Sequence, residues 1–212
     1  MQATTWIDNI ASESNLWLNA IKAEEGGELD HAAILYLRDA SECLGKGMQL
    51  KAALSCSCAA GCIQKMGSQV RARELYAESA QIYLEKAQAV AGVSVREFLW
   101  CLRESYRAFQ HANNREKAAE VHKYYVSLAG RIDPFIFADA LEASEPLQAE
   151  KEGNDKAFEE GRAMTQEIER FLQPRRDEYR KMSASLPPKA AAPTAAKRRS
   201  PNHETSVINQ LG

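Results

Sequence analysis

At 212 residues, with 45% hydrophobic and 26% charged side chains, the chain has room for one domain and a tail or for two small domains, and enough apolar material for a sizeable core. It has no run of about eighteen apolar residues, and its N-terminus shows no basic region followed by an apolar segment, so neither a membrane-spanning helix nor a secretory signal is expected. The net charge of −2 is uneven: residues 174–212 carry eight Lys/Arg against three Asp/Glu, or +5, which leaves −7 on the rest, and an acidic body argues against gripping nucleic acid by phosphate neutralisation.

The first helix is expected to start after Thr4 or Thr5 and to run to about Glu25. Ile7, Ile10, Trp17, Leu18 and Ile21 give it a broad apolar face, and Gly26-Gly27 stops it. The second spans about Glu28 to Leu44, with Ala32, Leu35, Tyr36 and Cys43 inward, and Gly45 and Gly47 bracket the next turn. The third covers about Met48 to Met66 and ends at Gly67, a residue type suited to the left-handed position after a helix. Ser68 is placed to cap the fourth, which extends to about Val90.

Ser94-Val95-Arg96-Glu97 reads as a capping box opening the fifth helix, with Val93 and Phe98 at staple positions around it. Val95, Phe98, Leu99, Leu102, Tyr106 and Phe109 then make one apolar stripe. Asn113-Asn114 forms a turn before a sixth helix from Arg115 to about Ala129. Asp133-Pro134 is a further start signal. Pro146 and Gly153 interrupt the pattern between Phe135 and Leu172, so a kinked pair or two separate helices are expected there. Ala157, Phe158, Met164, Ile168, Phe171 and Leu172 supply the last apolar face. After Pro174 a short charged extension runs to Pro187-Pro188, and beyond it the low-complexity chain is expected to be disordered. No stretch alternates as a strand does, so the fold class is all-α. Residues 1–173 form a helical domain of about seven to eight helices, and 174–212 a basic, largely disordered tail.

The second and fourth helices repeat one another. Gly67, Ala72, Leu75, Tyr76 and Ala80 lie forty residues after Gly27, Ala32, Leu35, Tyr36 and Ala40. Asn113, Ala118, Val121 and His122 form a weaker third copy, forty-six residues further on. Such a period marks a solenoid, in which each unit buries its apolar face against the next. An alanine followed four residues later by an aromatic suits a close helix crossing, because the alanine admits the backbone and the ring fills the groove beside it. Ala32 with Tyr36 and Ala72 with Tyr76 resemble the second helix of a tetratricopeptide repeat, over roughly Trp17 to Gly130. The repeat is longer than the family's period of about thirty-four. It lacks the family's Trp/Leu/Gly set in the first helix and its closing proline. Helices of this length are similar to those of the soluble NSF attachment proteins. The resemblance implies antiparallel helix pairs stacked as a right-handed solenoid, and an adaptor role, with membrane traffic as its specific form.

Cys56-x-Cys58-x-x-x-Cys62 does not read as a metal site. On a helix Cys56 points away from Cys58, no histidine is near, and the surrounding run Ala52–Gly61 is uniformly small, as a tightly crossed helix needs. Five cysteines without a secretion signal read as reduced thiols in a cytoplasmic protein. His31, His111, His122 and His203 are scattered, and His122 takes the place of the repeated tyrosine. Glu24-Glu25 and Glu159-Glu160 diverge on a helix. No nucleophile elbow or phosphate loop is present. No enzyme activity, cofactor or metal is expected.

Arg96, Trp100, Arg103 and Arg107 project to one side of the fifth helix, away from its apolar stripe. They form the candidate partner-binding ridge, suited to an acidic or C-terminal peptide segment held by bidentate arginine contacts and stacking on Trp100. The competing reading is a solvated face with Trp100 packed on a neighbouring helix. Lys51 is followed by Ser55 where the chaperone-tail clamp of some tetratricopeptide domains has asparagine, so that function is not carried over. In the tail, Lys197-Arg198-Arg199-Ser200-Pro201 suits either a solubilising role or a phosphorylation-controlled contact with an acidic partner or membrane surface. The sequence thus points to a non-catalytic adaptor that binds another protein or complex. The alternatives are a regulatory subunit of an enzyme and a self-assembling homo-oligomer.

Overall fold

In a computed structural model the protein is described over residues 15–132 and 161–185, with side chains over 15–129 and 161–181. Among these residues there are seven helices: α1 Leu16–Glu25, α2 Leu29–Gly45, α3 Gln49–Lys65, α4 Gln69–Val90, α5 Val95–His111, α6 Arg115–Ile132 and α7 Arg162–Ser185. No strand occurs among them, so the protein is all-α. From α1 to α6 each helix packs on the next. Residues 1–176 form one unit and 177–212 a second. Of the second, the described part is the last turns of α7, where Arg180 lies 3.5 Å from Asp177.

Four of the five turns between α1 and α6 are the same device. The second residue after the helix is left-handed, with φ of 80° at Gly27, 73° at Gly47, 100° at Gly67 and 56° at Asn113. Its N–H donates to the carbonyl three residues back, and the next N–H donates to the carbonyl five back. The paired distances are 3.0 and 2.8 Å after α1, 3.0 and 2.8 Å after α2, 2.9 and 3.2 Å after α3, and 2.9 and 3.0 Å after α5. This Schellman arrangement satisfies carbonyls that the helix end would leave open and reverses the chain within three residues. An added Cβ at Gly67 would meet nothing within 4 Å, so Gly67→Ala is expected to cost about 1 kcal/mol from backbone strain alone, read as a lowered midpoint in thermal unfolding. The α4–α5 turn differs: the Val90 carbonyl accepts from both Val93 (2.9 Å) and Ser94 (3.0 Å), and α4 has 22 residues where α3 and α5 have 17.

Several local expectations are corrected. The first helix does not run unbroken from Thr4 or Thr5, because Asn15 adopts an extended conformation and its side-chain oxygen accepts from the Leu18 N–H at 3.2 Å. A short amide that bonds the backbone ahead of it starts a helix rather than continuing one. Ile7 and Ile10 lie outside the described residues. Ser68 stands at the N-cap position, but its side chain makes no capping hydrogen bond. The capping box at α5 is half made. Ser94 Oγ accepts from the Glu97 N–H at 3.3 Å, while the Glu97 carboxylate pairs with Lys86 of α4 at 3.1 Å and the Ser94 N–H is already bonded to Val90. Val93 is 85% exposed, so the staple to Phe98 does not form, and Val95 at 46% lies outside the buried stripe. Asp133-Pro134, Pro146, Gly153, Ala157 and Phe158 fall outside the described residues.

Small side chains set the helix spacing. Ala32, Ala33, Ala40, Ala52, Ala53, Ala59 and Ala60 are fully buried, which lets neighbouring backbones come close enough for side chains of one helix to reach carbonyls of the next. Ser79 of α4 donates to the Ala53 carbonyl of α3 at 2.8 Å, and Ser105 of α5 to the Ala80 carbonyl of α4 at 2.9 Å. Cys56 Sγ lies 3.2 Å from the Leu75 carbonyl. Buried hydroxyls are thereby satisfied across helices rather than left to desolvation.

The repeated tyrosines join the ends of the odd-numbered helices. Tyr36 of α2 donates to Glu24 of α1 at 3.0 Å and meets Trp17 edge-on with centroids 5.2 Å apart. Tyr76 of α4 donates to Gln64 of α3 at 3.2 Å and stacks on His111 at 4.9 Å. Lys65 of α3 completes the line to Glu24 at 2.7 Å. Glu24, Gln64, Lys65 and His111 all sit in the last turns of their helices, so α1, α3 and α5 end side by side.

Helix α7 belongs to the same body through residue 176. Met164, Ile168, Phe171 and Leu172 are buried in the cluster built by α1 to α4, as their spacing predicts, and the helix continues through Pro174 to Ser185. Arg175 and Arg176, counted with the basic tail from sequence, are in ion pairs with α4.

Candidate partner-binding surface

The four residues of the α5 ridge leave the buried stripe on one side of the helix, and the structure gives each a different setting. Arg96 and Arg107 are exposed. Trp100 keeps 38% of its surface and meets Tyr83 of α4 edge-on, with centroids 5.7 Å apart and planes at 83°. That contact fixes the indole while leaving part of it open. Arg103 and Arg107 both reach Glu104, each at 3.2 Å, so a carboxylate invisible in the basic reading of the ridge sits between them. The Arg103 pair is part-buried and the Arg107 pair lies at the surface, and a solvent-facing pair of the latter kind contributes little to stability. Together they turn both guanidinium groups toward the same carboxylate.

Other polar positions are occupied by the fold itself. Asp39, buried in α2, accepts from Lys51 at 2.9 Å and from Ser55 at 2.6 Å, with Cys43 Sγ at 3.7 Å. Lys51 and Ser55, weighed from sequence as part of a peptide clamp, thus tie α3 to α2. Sequence reasoning missed Asp39; its mark was a carboxylate on the apolar side of the second helix. Of the adjacent acids, Glu24 turns to Tyr36 and Lys65 while Glu25 is exposed. Glu159, Glu160 and His203 lie outside the described residues. His122, in the repeated tyrosine position, packs on Tyr106 at 4.9 Å, and its Nε2 is buried without a hydrogen-bond partner. Its counterpart twelve residues back, Gln110, donates instead to the Tyr106 hydroxyl at 2.6 Å.

All five cysteines are free thiols, and all but Cys58 are buried. Burial, then the Glu24 charge, pushes Cys58 up to about 11 and Cys62 up to about 12. Burial, then Glu97, pushes Cys101 up to about 11. Burial followed by the Asp39 charge raises Cys43, and burial followed by the Glu78 charge raises Cys56 further. Thiolate is the reactive form, so at pH 8 a thiol reagent should label Cys58 slowly and the other four only after unfolding, counted by mass spectrometry. The same shifts set an alkaline limit. The folded thiols hold protons beyond the ordinary value of 9, so the stability this contributes is present below pH 9 and falls as pH rises above it. Burial raises Tyr36 and Tyr83 in the same direction from the ordinary 10.

Among the described residues no group of three or more His, Cys, Asp or Glu is arranged to hold a metal ion, and no helix is long and apolar enough to cross a membrane. Comparison with protein-family models, with curated proteins and with solved structures finds no match to this chain.

Proposed function

We propose that this chain is a non-catalytic adaptor, a helical-repeat scaffold that binds another protein through the exposed face of α5. The observation that carries the reading is Trp100, an aromatic held by Tyr83 yet open to solvent, flanked by arginines oriented on Glu104. Partly exposed aromatic and arginine side chains on a rigid element supply most of the energy at protein interfaces. In this reading the helix pairs stack as a right-handed solenoid similar to tetratricopeptide and soluble NSF attachment proteins. The repeated core fixes the scaffold, and the outward faces are left to recognition. The specific form, a role in membrane traffic in the cytoplasm, rests on the likeness in helix length alone.

The experiment is a tagged pulldown from the source cells with the intact protein and with a Trp100→Ala/Arg103→Glu variant whose circular dichroism melt matches the wild type. A partner lost only by the variant supports the α5 surface. A partner kept by both removes α5 as the site, and a rise of light scattering with concentration in place of any partner favours self-assembly.

A further inference from the structure

Helix α7 differs from the six before it in how it is held. Short turns hold α1 to α6 beside their neighbours, whereas residues 133–161, twenty-nine positions, separate α6 from α7. Among the described residues, side chains along both flanks of α7 tie it to the body. Met164, Ile168, Phe171 and Leu172 provide the apolar stripe, and charges on both sides of it are matched. Glu167 meets Arg38 of α2 at 3.5 Å, and Glu169 meets Arg71 of α4 at 3.1 Å. Further along, Arg175 reaches Glu78 at 2.6 Å and Glu85 with two bonds of 2.7 and 2.8 Å, while Arg176 lies 3.5 Å from Glu74.

The receiving face thus has a polarity of its own. Arg71, Glu74, Glu78 and Glu85 lie on one stripe of α4 at spacings of three, four and seven, basic first and then acidic. The occupant shows the opposite order, acidic and then doubly basic. A helix laid in reverse would set arginine against Arg71 and Arg38, so the charges select direction and register as well as hydrophobicity.

We propose that this face of α2 and α4 is a receiving site for an amphipathic helix of a partner protein, and that α7 is its resident competitor. The partner helix carries α7's pattern, with acidic residues beside the first half of an apolar stripe and paired arginines after it. An incoming helix of this pattern remakes the ion pairs that α7 makes with α2 and α4. While α7 is seated, the partner's apparent affinity is lowered by the fraction of molecules whose site is open. This surface is separate from α5, and the proposal does not rest on the α5 reading.

The probe is a fluorescently labelled synthetic peptide of residues 161–181, titrated by anisotropy into the full-length protein. An Arg175→Glu/Arg176→Glu protein, whose own α7 is repelled by Glu74, Glu78 and Glu85, is expected to bind it at least about tenfold more tightly than the wild type. A Met164→Ala/Ile168→Ala protein loosens α7 without touching a charge and should show the same gain, which keeps the test valid if the charge variant does not fold. A peptide carrying the Arg175→Glu/Arg176→Glu reversal should bind neither protein but should bind a Glu78→Arg/Glu85→Arg chain. Failure of the wild-type peptide to bind a folded, loosened variant would overturn the proposal. So would equal affinity for wild-type and loosened proteins, or equal binding by the reversed peptide.

Discussion

Tyr36→Ala is expected to lower the unfolding free energy by about 4 kcal/mol, seen as an earlier urea midpoint at unchanged slope. Tyr36 is 2% exposed, and its ring closes the joint between α1 and α2 against Trp17. Removing it opens a cavity between helices that the α1–α2 turn and the Lys65–Glu24 pair keep apart, so collapse around the gap is limited. Tyr36→Phe leaves the ring and removes only the bond to Glu24, for about 1 kcal/mol. That bond also has a pH signature. The hydrogen bond from Lys65, with a smaller one from Tyr36, holds the Glu24 carboxyl below its ordinary 4.5 against the opposing effect of burial. The stability it contributes is present above that value and is lost as pH falls through the folded one. In Tyr36→Phe the acid loss should be smaller and be complete at a higher pH, because the folded value moves back toward the ordinary one. A Tyr36→Ala protein within about 1 kcal/mol of the wild type would mean that the repeated tyrosine does not set the helix joint.

Arg175→Ala is expected to weaken the docking of α7 by about 3 kcal/mol. The Arg175 side chain is 12% exposed and that of Glu78 8%, so truncation leaves a buried carboxylate without its counter-ion, beside Glu85. The helix can relieve this by lifting off its seat. The loss should therefore appear locally, as amide exchange about a hundredfold faster in residues 161–176, with α3 still protected. Arg175→Lys keeps the charge but presents a point donor in place of a fork that spans two carboxylates, so an intermediate effect is expected. Unchanged exchange in Arg175→Ala would show that the apolar stripe alone seats the helix.

The candidate ridge on α5 was legible as residues and not as an arrangement. Helical spacing put Arg96, Trp100, Arg103 and Arg107 on one side. The spacing contains no information about Tyr83, which receives Trp100 from a different helix. Glu104 is adjacent to Arg103 in sequence, yet which rotamers bring it to both Arg103 and Arg107 depends on packing. The capping box shows the same limit at shorter range. Ser94 bonds the Glu97 N–H as the motif requires, but the Glu97 carboxylate has a better partner in Lys86, seen only once α4 and α5 lie together.

The helices α2 to α6, the places where the chain turns between them, and the repeated tyrosine were all legible in the order of residues. Each carries a mark within a few positions of sequence, a left-handed glycine or asparagine after a helix or an alanine with a ring four positions on, even where the contact it makes is with the next helix. The turns act whatever the rest of the chain does, and the repeat shows where neighbouring helices must meet. The seat of α7 was settled by packing between distant segments. Nothing local singles out Arg71, Glu74, Glu78 and Glu85, and Arg175 and Arg176 read as the start of a basic tail. They become a matched set only because a helix about ninety residues away in sequence presents the opposite charges at the right spacing.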